Sequence, residues 1–230
     1  MSSIESTTES SSSASSRDSK QKLDSGSKQK PEHLCIRPLT IYDWQQVMEL
    51  EARGFPEHER CSEEKIKYRL TVCPELCSGL FVREFEENAA QNDSPPPRST
   101  IVNEKLIGHI LATKTYDSTI TERSMAIPKD ENDSQSGHVE TSRTIGIHAV
   151  VIDSQYRGLK LGSLLIKDYL QKLNQQYVAD KVVLLAKAQV TPFYRGLGFV
   201  DDGVSSCRFA GEEWHDMHCD LTHEDEDEDM

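Results

Sequence analysis

Thr144-Ile145-Gly146-Ile147-His148-Ala149-Val150-Val151-Ile152, followed after two residues by Gln155-Tyr156-Arg157-Gly158-Leu159-Lys160-Leu161-Gly162-Ser163-Leu164-Leu165, is the stretch on which the fold turns. Its first part is dense in β-branched residues (Ile145, Ile147, Val150, Val151, Ile152), which suit a buried, pleated strand. A charged turn over 153–160 follows. From 161 to 177, Leu164, Leu165, Tyr169, Leu170 and Leu173 recur at the spacing of one helix face. A second, nearly continuous apolar run lies at 182–186. Two such runs on either side of a helix of this length predict a βαβ crossover. The two strands should then lie parallel and adjacent, in a sheet covered on both faces.

Upstream, 33–39 reads as a strand cut by Pro38. Thr40 is placed to cap a helix over 41–53 that Gly54 ends, and Ser62 to cap a second helix running to Cys73-Pro74. Strands are expected at 78–84 and 105–116, the latter kinked at Gly108, and are read as antiparallel. The segments 86–100, with three consecutive prolines, and 118–142 read as loops, with a short helix expected around Glu122. Downstream, 190–197 reads as a short helix, Gly198-Phe199-Val200 opens a strand, and 214–221 is the last strand. The fold class is therefore mixed α/β.

The chain divides into a serine-rich head (1–32), a domain (33–221) and an acidic tail (222–230). The head is too poor in apolar residues to offset chain entropy and reads as disordered, a candidate for phosphorylation-controlled docking of a regulatory protein. It lacks the apolar segment of a secretory signal, and no apolar run is long enough to cross a bilayer, so the expected address is the cytoplasm and no membrane partner is expected. The net charge of -13 speaks against nucleic acid as a partner and is compatible with a cationic small molecule. Six cysteines without paired CxxC motifs read as free thiols, and no metal is expected; His215, His218 and Cys219 read as members of the last strand. The chain is expected to be monomeric.

A turn feeding a helix presents free backbone amides and the positive end of the helix dipole, a seat for a pyrophosphate. Gly158, Gly162 and Ser163 let a ligand approach the backbone, and Arg157, Lys160 and Lys167 add positive charge. On its own this signal is weak, because many helices begin so.

The stretch resembles the acetyl-CoA signature of the GNAT superfamily, Gln/Arg-x-x-Gly-x-Gly/Ala, at the same place between strand and long helix. Arg157 and Gly162 match its ends, and Lys160 stands where the pattern has its middle glycine. Val190-Thr191-Pro192-Phe193-Tyr194-Arg195-Gly196-Leu197-Gly198-Phe199 resembles the family's closing motif. Cys73-Pro74-Glu75-Leu76-Cys77-Ser78-Gly79-Leu80-Phe81 resembles a segment of the serotonin (arylalkylamine) N-acetyltransferase branch. With Phe55-Pro56-Glu57 and Glu213-Trp214-x-Asp216-Met217, the pattern is most similar to fungal polyamine N-acetyltransferases.

The resemblance implies a mostly antiparallel, twisted sheet with helices on both faces and splayed central parallel strands. It implies acetyl-CoA as donor, gripped by Val150, Val151, Ile152, Arg157, Gly158, Leu159, Lys160, Leu161, Gly162, Ser163 and Tyr194. It also implies direct attack by a primary amine in a ternary complex. His148 is the expected proton acceptor, with an ordinary pKa of about 6.5. It aligns with the second histidine of a His-x-His motif whose first falls on Gly146. Tyr194 is the expected acid for the leaving thiolate. The resemblance assigns the small-molecule amine to Phe55, Pro56, Glu57 and Leu185. Glu57, Glu59 and Glu75 would suit a polyamine, and the apolar walls of Phe55, Pro56 and Leu185 an arylalkylamine. Two alternatives stay open: acetylation of protein N-termini or lysines, and a non-catalytic acyl-CoA-binding module, the latter motivated by Gly146 and Lys160.

Overall fold

The computed structural model describes residues 29–86 and 96–222. Most of the serine-rich head, part of the proline-containing loop and nearly all of the acidic tail lie outside the described residues. Seven strands form one sheet: β1 (Leu34–Pro38), β2 (Ser78–Phe85), β3 (Ile101–Lys114), β4 (Thr144–Ile152), β5 (Lys181–Ala186), β6 (Val200–Val204) and β7 (His215–Asp220). Their order is β1-β2-β3-β4-β5-β7-β6. All neighbours are antiparallel except β4 and β5, which are parallel, as expected for the crossover through α3 (Leu161–Gln176). Helices α1 (Trp44–Gly54), α2 (Glu63–Val72) and α4 (Thr191–Arg195) complete the fold. Among the described residues no helix is long and apolar enough to cross a membrane.

Two apolar layers flank the sheet. On one side Leu161, Leu165, Ile166, Tyr169 and Leu173 of α3 pack on Ile107, Ile145, Ile147 and Val182. On the other, Val47 and Leu50 of α1 and Ile66 and Leu70 of α2 pack on Phe81, Leu111, Ala149 and Val151. A register shift between Ile147 and Ala149 changes the phase of β4, so that Ile145, Ile147, Val150 and Ile152 serve the first layer and Ala149 and Val151 the second; feeding both layers is why its sequence reads as nearly all apolar. Local caps behave as the side chains dictate: the Asp43 carboxylate accepts from the Thr40 amide at 2.8 Å, and the Ser62 hydroxyl accepts from the Lys65 amide at 3.4 Å.

Three expectations need correction. The third strand starts at Ile101, because cross-strand pairing with Glu84 and Phe85 holds polar residues in register that a hydrophobic pattern cannot reveal. No helix forms around Glu122. That segment is a turn held by mutual hydrogen bonds between Thr121 and Ser124. The 118–142 connection is more than a polar loop: its Ile120 and Met125 are buried against Val183 and Cys207. At Gly108 the expected irregularity is present, as a bulge where Leu80 faces Gly108 and Phe81 already faces Leu106.

Candidate active site

The site begins with a defect in β4. Opposite Leu111 and Ala112 of β3 stand Ala149 and Ile147, so His148 is the extra residue of a β-bulge. The parallel ladder to β5 ends at the same level, with Ile147 beside Leu184. Beyond it β5 continues with Leu185 and Ala186, paired only to β7. Beyond it β4 continues with Val150 to Ile152, paired only to β3. The strands therefore part just where the bulge re-aims His148. The amide of Asp153 bonds the Ile107 carbonyl at 2.8 Å, which sets the phase of the β3–β4 ladder. By alternation, the backbone groups of Val150 and Ile152 face away from β3 and into the gap. The carbonyl of Ile152 there accepts Arg157 Nε at 3.1 Å.

A cavity of about 850 Å³ opens into this gap. Its walls include His148, Val150, Arg157, Leu185 and Tyr194. His148 Nε2 is 2.7 Å from Thr113 Oγ1, while its Nδ1 is buried and has no hydrogen-bond partner. Burial, with the nearby charges of Arg69 and Lys65, holds the His148 pKa well below 6.5, so the ring is neutral at pH 7 and has a nitrogen to spare. Tyr194 packs edge-on against Phe193 and Phe199, and burial raises its pKa, so the phenol keeps its proton.

Gly146 has a local reason. A Cβ there would stand 2.8 Å from Ile120 Cδ1, so the connection before β4 fills the space that a larger residue would need.

The turn 157–163 adjoins the cavity at Arg157, while Gly158 and Lys160 are exposed and Leu161 is buried in the core. Lys160 is the N-cap of α3, in the left-handed region (φ 60°, ψ 18°), and its side chain makes no capping hydrogen bond. The first amides of α3 are thus left without a side-chain cap, as an anion seat requires. Leu159 and Gly162 sit around this turn, with Phe193 Cζ 3.4 Å from where a Gly162 Cβ would be. A coenzyme bearing a pyrophosphate fits here by the chemistry of those amides and of Arg157.

Of the residues expected at the acceptor end, Phe55, Pro56 and Leu185 line the cavity. Glu57 does not: it is exposed, in a short 3₁₀ turn whose neighbour Glu59 faces inward instead. Glu75 is likewise exposed and off the wall. The six cysteines are free, and His215 and His218 are engaged by Asp201 and Asp202 at 2.9 and 2.7 Å.

Of the further wall residues, Glu59 and Trp214 are marked in the sequence, whereas Arg69, Lys187 and Glu212 carry no sequence signal. Glu51 is buried, with Oε1 2.8 Å from His109 Nε2 and Oε2 accepting the Cys61 amide at 3.0 Å. Arg69 is buried and reaches Cys61 Sγ at 3.0 Å. Glu59, Lys187, Glu212 and Trp214 meet from three separate loops. Glu51 stands four residues after Val47 on the buried face of α1, so a carboxylate at a core-facing helical position is its one sequence signal.

Residues 83–221, more than half of the chain, match the family described as the acetyltransferase (GNAT) domain, and the chain belongs to that family. It is 24% identical over 189 residues to the serotonin N-acetyltransferase of Mesocricetus auratus, covering 81% of this chain and 77% of that protein. Among solved structures it resembles the loading GNATL domain of CurA from Lyngbya majuscula (TM-score 0.60, 17% identity, 83% of this chain and 99% of that one). It also resembles the PaiA N-acetyltransferase from Thermoplasma acidophilum in complex with coenzyme A (TM-score 0.51, 14% identity, 81% and 98%). At such identities the structural likeness speaks for the fold.

Proposed function

We propose that the protein transfers an acetyl group from acetyl-CoA to the primary amine of a small molecule, a polyamine or an arylalkylamine, within a ternary complex. The observation that carries this reading is the bulge: it puts a neutral histidine with a free, buried Nδ1 at the point where β4 and β5 part, in one cavity with a protonated tyrosine. The likeness to a serotonin N-acetyltransferase supports a small amine as acceptor.

In this reading the amides at the start of α3, with Arg157, grip the pyrophosphate. The free edge of β4 at Val150 and Ile152 takes the rest of the donor in place of a strand partner. Bound acetyl-CoA supplies the activated acyl carbon. The acceptor nitrogen bonds to that carbon and the carbon–sulfur bond breaks. His148 Nδ1 takes the proton that the nitrogen sheds, with Nε2 steadied by Thr113. Tyr194 gives a proton to the departing sulfur. Arg69 and Lys65, whose charges already disfavour a cationic His148, also disfavour an ammonium at the reacting position and so help keep the attacking amine neutral.

The test is a thiol-release assay with acetyl-CoA against tryptamine, phenylethylamine, putrescine, spermidine and a lysine peptide. Turnover of the small amines and none of the peptide is the expected result. Turnover of the peptide alone overturns the acceptor assignment, and coenzyme binding without turnover of any amine overturns the reaction.

A further inference from the structure

The acceptor end of the cavity already holds an ammonium group, and it belongs to the protein. Lys187, one residue beyond β5, places Nζ 3.0 Å from Glu59 Oε1 and 3.2 Å from Glu212 Oε2. The same atom lies 4.2 Å from the centre of the Trp214 ring. That ring is fixed, because Trp214 Nε1 donates to the Phe209 carbonyl at 2.9 Å and the side chain is buried. His58 Nε2 stands 3.8 Å from each carboxylate. Two carboxylates and an aromatic face are the elements that recognise an alkylammonium. Among the described residues, His58, Glu59 and Glu212 also have the spacing of metal ligands, but the Lys187 ammonium occupies the position between the two carboxylates that an ion would need.

All of these residues line the cavity that contains His148 and Tyr194. The cavity is therefore bipolar. Burial, with the charges of Arg69 and Lys65, makes a cation costly at the His148 end. Glu59 and Glu212 at the other end attract one. A monoamine uses only the first pole. A diamine satisfies both, its reacting nitrogen neutral and its distant nitrogen charged. The unpartnered, buried Nδ1 of His148 marks the pole where the proton leaves.

We propose that Glu59, Glu212 and Trp214 form the seat for the second ammonium of an α,ω-diamine or polyamine, and that Lys187 is a tethered stand-in which the acceptor displaces. This deepens the acetyl-transfer reading and rests on it for the reacting end. Lys187 keeps the two carboxylates neutralised while no acceptor is bound and swings aside when one arrives. The seat selects against monoamines of equal length.

The experiment compares 1,5-diaminopentane with pentylamine, which differ only in the second ammonium, in a thiol-release assay with the full chain. The wild type is expected to prefer the diamine in kcat/KM by about tenfold or more. Glu59→Gln should lower kcat/KM for the diamine about 10- to 100-fold, mainly through KM, and leave pentylamine within threefold. Glu212→Gln, at a more exposed carboxylate, should act in the same direction and guards against a folding defect at Glu59. Lys187→Met should lower the KM of the diamine by emptying the seat. Equal kcat/KM for the two amines in the wild type, parallel losses for both amines in the Glu variants, or a raised diamine KM in Lys187→Met overturns the proposal. If neither amine is acetylated, the transfer reading fails on its own. The seat is then judged by calorimetry with 1,5-diaminopentane: saturable binding that Glu59→Gln weakens upholds it, and no saturable binding overturns it.

Discussion

Replacing Tyr194 by phenylalanine removes one oxygen and nothing else that the structure uses for packing. The ring meets Phe193 at 5.2 Å and Phe199 at 5.5 Å between centroids, both edge-on, and a phenylalanine ring keeps both contacts. Burial alone raises the pKa of the phenol, with no hydrogen bond contributing, so losing its oxygen strands no donor or acceptor. The stability change should therefore stay within about 0.5 kcal/mol, or roughly 2 °C in Tm for a domain of this size. The kinetic change is of another order. A positioned acid contributes about 10²- to 10⁴-fold, and its loss here should lower kcat by about 10²- to 10³-fold, or roughly 2.7–4 kcal/mol of barrier. KM for acetyl-CoA should move less than about threefold, since in the proposed reaction the group acts on the departing sulfur rather than on binding. Thiol release at saturating amine gives kcat, and differential scanning calorimetry gives Tm. A kcat within twofold of the wild type removes Tyr194 from the chemistry. A lower kcat accompanied by a fall in Tm of many degrees means that the residue holds the fold rather than the proton.

Other substitutions probe other links. Because the folded pKa of His148 lies below its unfolded value of about 6.5, the unfolded chain binds the extra proton first as pH falls; stability should drop below pH 6.5, and His148→Gln should flatten that drop in urea titrations across pH 4.5–7.5. The same variant should lose the acidic limb of the pH–rate profile, which in the wild type should lie below pH 6.5. Lys160→Gly should relieve the left-handed backbone at φ 60° and raise stability by about 1 kcal/mol, while Lys160→Ala should not; equal Tm for the two would contradict the strain argument. Gly54→Ala forces a Cβ to 2.1 Å from Val151 Cγ2 and should cost about 1–3 kcal/mol, read as a lower urea midpoint.

What could be read in advance followed from periodicity. The strand–turn–helix at 144–176 was legible because β4 is buried on both faces and α3 on one, and each burial pattern writes its own spacing into the sequence. The parallel pairing of β4 with β5 followed from the length of the crossover. The polar start of β3 was not legible, since its register depends on partners such as Glu84 rather than on its own apolar content. Nor was the burial of Ile120 and Met125, two apolar residues isolated in a polar stretch. His148 and Tyr194 stood out as chemistry-bearing residues, but that a bulge turns His148 into the cavity is a property of β3 and β4 together. The ammonium cage was the least visible feature. Glu59, Lys187 and Glu212 lie far apart in the chain and meet only because the end of β5 runs between two loops, so the sequence offers Glu59 as one carboxylate among three and gives no sign of its partners.

A crystal structure of the chain with coenzyme A and an amine reads the central claim directly. The pyrophosphate is expected within hydrogen-bonding distance of the amides at 158–163, the pantetheine arm along the free edge of β4 at Val150 and Ile152, and the sulfur between His148 and Tyr194. A coenzyme bound elsewhere, with the space between β4 and β5 still unfilled, would contradict it.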